Sequence, residues 1–226
     1  MAEIVLALDL PDRSQALRFL DRVPALQWVK VGPVLMGREG SGLLQDLRAR
    51  GLRVFLDLKW HDIPNTVAAA VTSAADLSVT MATVHTLGGL VMLKAAVQAA
   101  GSRCALVGVT VLTSHDAASY GQATGRSDVD LPREATRLAA IAVEAGLRGV
   151  VCSPQEAASV RQRVGPEPWI VVPGIRRPSD PPDDQVRTAT PAEATKAGAT
   201  HLVVGRPLLR ATDPGSVLAE LVEAAR

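Results

Sequence analysis

The chain has 226 residues, a formal net charge of +1 and 47% apolar residues. That length suits one large α/β barrel or two small domains with a sizeable core. Near-neutral charge and 3% aromatic residues leave neither a basic field nor stacking platforms, which argues against a nucleic-acid partner. No apolar run approaches the ~18 residues of a membrane span, so no membrane partner is expected. The opening MAEIVLALDL lacks a basic stretch before its apolar run and reads as a first strand rather than a signal peptide. Cys104 and Cys152 lie in apolar strand-like runs without metal-type spacing, and read as reduced core residues of a cytoplasmic protein.

Taken in order, apolar strand-like runs alternate with amphipathic stretches from end to end. The pattern predicts strands over 3–9, 27–31, 52–57, 79–84, 104–110, 147–151, 169–172 and 201–204, each followed by a helical stretch. Ser153-Pro154-Gln155-Glu156 and Thr190-Pro191-Ala192-Glu193 have the form of capping boxes with proline at the first helical position. Asp213-Pro214 is a simpler helix start of the same kind. Eight strand–helix units in one chain point to an α/β fold, a (β/α)₈ TIM barrel forming a single domain over 1–226. A doubly wound open sheet is the alternative. Two stretches are predicted as long loops, 113–130 after strand five and 175–189 after strand seven. Long loops on a compact barrel are usually lids or binding loops.

Active sites of such barrels lie at the C-terminal ends of the strands. Strand one ends in Asp9, strand two carries Lys30, and strand three gives Asp57, Lys59 and then Asp62 in a loop before Pro64. Strand four ends in His85, strand five leads to Thr113, strand seven to Gly174 and Arg176, and strand eight to Gly205 and Arg206. Strand six, ending in Cys152-Ser153, is plain by comparison. Residues two apart on a strand share a face, so Asp57 and Lys59 should point together into the barrel mouth. Burying such a pair is costly, which marks a candidate site. The chain has 20 Arg and only four Lys, and two of those Lys, Lys30 and Lys59, fall at strand ends. An ammonium can give and take a proton where a guanidinium practically cannot, so their retention suggests proton chemistry or point-charge binding. Gly205-Arg206-Pro207 links strand eight to a helix start, a common phosphate position in these barrels.

Each residue also has a plainer reading. Asp9 and Thr113 could be turn residues, Lys30 a solvent-facing strand residue, Asp57 and Lys59 a structural ion pair, and Asp62 a helix cap. His85 could be a satisfied buried histidine or a ligand contact. His61, His115 and His201 read as structural or surface residues. Gln185 sits in a polar loop that settles nothing by itself.

The segments ALD at 7–9, VKVG at 29–32, DLKWHDIPNT at 57–66, TVHTLGG at 83–89, VLTS at 111–114, VPGIR at 172–176, DQVRTATP at 184–191 and VVGRP at 203–207 resemble, in this order, the orotidine 5′-phosphate decarboxylase family. The match spans nearly the whole chain. The resemblance implies a (β/α)₈ barrel that works as a homodimer without metal or organic cofactor. It implies Lys59 as proton donor, Asp57 as the carboxylate beside the leaving CO₂, and Lys30 as completing the charged array. Asp62 would reach into the partner subunit's site, with Thr66 nearby. Asp9 would contact the ribose and Thr113 the pyrimidine. Arg176, Gln185, Gly205 and Arg206 would surround the phosphate. The chain departs from the family over 177–183, RPSDPPD, where the family usually shows a glycine-containing stretch.

The implied chemistry suits the residues. Loss of CO₂ from C6 of orotate leaves a ring carbanion without a usual electron sink. A fixed ammonium can stabilise that charge and then protonate it. Two other readings compete. Keto-gulonate phosphate decarboxylase and hexulose phosphate synthase share the D-x-K-x-x-D strand but use Mg²⁺ and an enediolate, and they want a carboxylate where this chain has Lys30. A non-catalytic nucleotide-binding barrel would be expected to lose Lys59 or one of its acids, and all are present.

Overall fold

Alternation of side chains along eight short strands closes this chain into a barrel. The structure is a computed structural model, and it describes residues 1–180 and 187–226. The strands are β1 (Glu3–Ala7), β2 (Trp28–Val31), β3 (Arg53–Trp60), β4 (Met81–His85), β5 (Ala105–Val109), β6 (Gly149–Val151), β7 (Trp169–Val172) and β8 (His201–Val204). Each pairs in parallel with the next, and β1 pairs with β8. The helices are α1 (Arg13–Leu20), α2 (Pro33–Ala49), α3 (Pro64–Asp76), α4 (Gly89–Ala100), α5 (Ala117–Thr124), α6 (Leu131–Glu144), α7 (Ala157–Val164), α8 (Pro191–Lys196), α9 (Arg206–Leu209) and α10 (Pro214–Ala224). The expected (β/α)₈ barrel is therefore the observed one.

Two cores follow from the period of two. Ile4, Leu6, Val29, Val31, Val54, Leu56, Leu202 and Val204 face outward into the layer shared with the helices. Val5, Phe55, Met81, Val107, Val171 and Val203 face inward and fill the barrel. Its N-terminal end is plugged by Trp28, Trp169 and His201, with ring centroids 4.7–6.4 Å apart. Arg53 lies over the Trp28 ring and Arg148 over that of Trp169. Burial first, then Arg53, pushes the His201 imidazole down to about 4. His201 is thus the structural residue expected. With that end closed, the opposite end is left to carry a site.

Several local expectations hold and others need correcting. Thr190 and Glu193 form a reciprocal capping box on α8, and Asp213 caps α10. Ser153-Pro154-Gln155-Glu156 does not start a helix: α7 begins at Ala157. Glu156 still accepts the Ser153 amide at 2.9 Å, but the buried Ser153 hydroxyl has no hydrogen-bond partner among the described residues. The missing half is the bond to the Ser153 hydroxyl: the Glu156 amide donates to the Ser153 carbonyl instead, at 3.2 Å. The stretch 113–130 is not an unbroken loop, since it contains α5, capped reciprocally by Asp116 and Ser119. Strand three runs beyond residue 57 to Trp60, through a register shift against β4 between Leu56 and Trp60. Cys104 and Cys152 are buried free thiols, as expected.

Candidate active site

A cavity of about 490 Å³ opens at the C-terminal ends of the strands, within the size range of small-molecule sites. Its apolar floor is the top of the barrel core, formed by Ala7, Phe55, Val109, Val151, Val171 and Val203. Above that floor stand Asp9, Lys30, Asp57, Lys59, Thr113, Arg176, Gly205 and Arg206. Eight of the eleven residues picked from the sequence are thus brought to one cavity. Asp62 and Thr66 are not. Gln185 lies outside the described residues.

Asp57 is the hub, with only 9% of its surface exposed. The Lys59 ammonium donates to both of its oxygens at 2.9 Å. The Lys30 ammonium lies 3.5 Å from the same carboxylate and 3.6 Å from Asp9. Charges therefore alternate Asp9, Lys30, Asp57, Lys59 across the mouth and sum to zero. Inward alternation on β2 and β3 places these side chains, while Leu58 and Trp60 turn outward to the helical layer. Lys59 has φ 51°, left-handed backbone that a lysine rarely adopts. Such strain costs about 1–3 kcal/mol and persists where surrounding contacts hold it. Here the Lys59 amide donates to Thr83 Oγ1 at 2.8 Å, and Thr83 donates to Asp57 Oδ1 at 3.1 Å. Thr83 is fully buried and orients both members of the pair. Sequence reading missed it, although a lone hydroxyl at an inward position of VTMATV is the available signal.

The ends of β7 and β8 bring arginines to the same cavity. Gly174, at φ 80°, turns the chain after β7 in a conformation natural to glycine. Ile175 then pairs with Ala189, and the Arg176 amide donates to the Ala189 carbonyl at 2.9 Å. Arg206 opens α9 directly after Gly205. Two cations thus line the cavity together with the Asp–Lys array. Cys152 also lines it, so the end of β6 is less plain than expected. Asp12, not Asp9, caps α1, and Asp9 lines the cavity with a largely exposed side chain.

Asp62 and Thr66 are exposed and do not line this cavity. Among the described residues, Asp62 accepts only the adjacent Ile63 amide, at 2.6 Å, and α3 has no side-chain cap. The helix-cap reading of Asp62 is thereby removed. Ile63, next to it in the chain, is exposed too, as are Leu87 and Val91. His85 stacks on His61 with centroids 5.4 Å apart, and its Nδ1 accepts the Leu87 amide at 3.3 Å. Burial, then the neighbouring His61 and Lys59, pushes the His85 imidazole down to about 4. It is a satisfied neutral histidine outside the cavity lining. Among the described residues, no group of three or more His, Cys, Asp or Glu side chains is placed to hold a metal ion. No helix among them is long and apolar enough to cross a membrane.

Fold and cavity together define the class: a parallel (β/α)₈ barrel of the enzyme type, with its polar site at the C-terminal strand ends. The family model described as Orotidine 5′-phosphate decarboxylase / HUMPS family matches residues 2–221, and the chain belongs to that family. The orotidine 5′-phosphate decarboxylase of Halorhodospira halophila is 49% identical over 226 residues, covering 96% of this chain and 93% of that protein. That of Thermobifida fusca is 48% identical over 223 residues, covering 97% and 94%. Among solved structures, the orotidine 5′-phosphate decarboxylase of Lactobacillus acidophilus superposes with a TM-score of 0.89 at 33% identity, covering all of both chains.

Proposed function

We propose that this protein is a carboxy-lyase that converts orotidine 5′-monophosphate to uridine 5′-monophosphate in pyrimidine biosynthesis, without a cofactor. One observation carries the reading: a lysine bound to both oxygens of a buried aspartate, in a cavity that two arginines also line. In this account Arg176, Arg206 and the Gly205 turn hold the phosphate, joined by Gln185. Asp9 takes the ribose and Thr113 the pyrimidine. The substrate carboxylate then lies near Asp57.

The bond from C6 to the carboxylate carbon breaks, CO₂ leaves, and the electron pair stays on C6. Lysine is ordinarily an ammonium at neutral pH. Lys59, already fixed by Asp57 and by its own backbone bond to Thr83, offers its positive charge to the developing carbanion. It then transfers a proton to C6 and regains one from water. Lys30 keeps Asp57 and Asp9 from facing each other unscreened. Phosphate binding, remote from the reacting carbon, supplies energy for organising the array.

Asp62 and Thr66, exposed and outside the cavity lining, are assigned to the neighbouring site of a homodimer in the cytoplasm. A metal-assisted reaction is the competing reading. Lys30 stands between the two carboxylates that would otherwise attract a cation, and its charge would repel Mg²⁺. The test is to follow loss of orotidine 5′-phosphate absorbance under exhaustive chelation. Full activity is expected, and a loss in EDTA that Mg²⁺ restores would overturn the cofactor-free reading.

A further inference from the structure

Arg187 has no part in the reaction as derived above, yet its side chain is only 11% exposed and reaches two other loops of the rim. One guanidinium nitrogen, Nη1, donates to Glu156 Oε1 at 2.7 Å. The other, Nη2, donates to the His115 carbonyl at 2.6 Å, 72 residues away in the chain. Glu156 is itself buried, at 2% side-chain exposure, and its second oxygen accepts the Ser153 amide. A single guanidinium thus joins the connection after β7 to those after β6 and β5.

Those connections carry the cavity. His115 lies two residues beyond Thr113, and its amide closes a turn onto the Leu112 carbonyl at 3.0 Å. Leu112 and Thr113 both line the cavity. Ser153 follows Cys152, another lining residue. Arg187 lies two residues before Ala189, whose carbonyl holds the Arg176 amide. The two acceptors of Arg187 sit in different loops, and a planar fork can serve both at once where an ammonium serves as a point charge. Removing the cation would also leave the Glu156 carboxylate buried without its ion-pair partner.

We propose that Arg187 is a positioning residue. It fixes the segment carrying Thr113 against the segment carrying Arg176, so that one ligand is gripped at both ends in register. The role rests on the reading of the cavity as a nucleotide site, with the base near Thr113 and the phosphate near Arg176.

The test uses Arg187→Lys, which keeps a charge for Glu156 but lacks the second arm. The folded variant should lose about tenfold to a hundredfold in kcat/KM for orotidine 5′-phosphate, the scale of a small misplacement of bound groups. Amide hydrogen exchange at 112–116, measured without substrate, should speed up by about tenfold. A merely structural clamp would lower the melting temperature and leave kcat/KM per folded molecule and exchange at 112–116 at wild-type values, which overturns the proposal. If Arg187→Lys does not fold, Arg187→Gln is read by the same two measurements. If neither folds, the residue is structural and the proposal fails. A wild-type protein that does not consume orotidine 5′-phosphate would sink the functional reading instead. The exchange measurement still judges the coupling in that case, because it needs no substrate.

Discussion

Replacing Glu134 by glutamine should destabilise the protein in a way that depends on pH. Glu134 is 4% exposed on α6 and receives a fork of two bonds from Arg137, at 2.9 and 2.7 Å. Arg126 lies 3.1 Å away, and the Tyr120 hydroxyl of α5 donates to it at 3.0 Å. The Arg137 bond is the largest cause holding this carboxyl down at about 2 from 4.5, against an opposing effect of burial. Burial first, then its bond to Glu134, pushes the Tyr120 hydroxyl up to about 12, so it remains a donor. A shift of that size corresponds to about 3 kcal/mol of linked stability. Arg137 is half exposed, so solvent screening brings the figure nearer to about 2 kcal/mol. The carboxyl is depressed in the folded state, so its contribution is complete above pH 4.5 and is lost as pH falls towards 2. Urea unfolding of wild type and Glu134→Gln should show a gap of about 2 kcal/mol at pH 7 that shrinks below pH 4.5 and closes only as pH falls through about 2. A gap that stays constant across that range would refute the reasoning.

Arg206→Ala should weaken intact uridine 5′-phosphate by about tenfold to a hundredfold and leave uridine nearly unaffected, as expected for a charge-assisted contact of ~1.5–3 kcal/mol. Calorimetric titration of both ligands checks this, and equal losses would place the phosphate elsewhere. Inactive Lys59→Ala and Asp62→Ala should complement on mixing to about a quarter of wild-type activity, because half of randomly formed dimers are heterodimers with one intact site. Mixtures that stay inactive despite demonstrated subunit exchange would show that Asp62 serves its own barrel.

The barrel was legible because its cause is local. Inward and outward residues alternate on every strand, so each apolar run marks a strand to within a few residues. The charged array was legible for the same reason: Asp57 and Lys59 are two apart, and Lys30 is a polar interruption of an apolar run. α5 was not, because AASYGQAT is small and weakly amphipathic, and its helix depends on the Asp116–Ser119 cap and on Tyr120 reaching Glu134. Thr83 and Arg187 escaped notice because their roles consist of bonds across 24 and 72 residues of chain. The Ser153 capping box misled because the Glu156 amide bonds the Ser153 carbonyl rather than its hydroxyl, a choice of acceptor that the motif does not reveal. Asp62 has the reverse problem: its position is plain in the sequence, yet its own chain leaves it exposed and outside the cavity.

The central claim is that Lys59 provides the charge and the proton. Turnover of orotidine 5′-phosphate by Lys59→Ala, measured beside the affinity of the same variant for uridine 5′-phosphate, tests it most directly. The account predicts turnover reduced by ~10²-fold or more, the usual loss on removing a general acid, with nucleotide binding still measurable. A variant that binds the nucleotide and keeps more than about a tenth of wild-type turnover would contradict it.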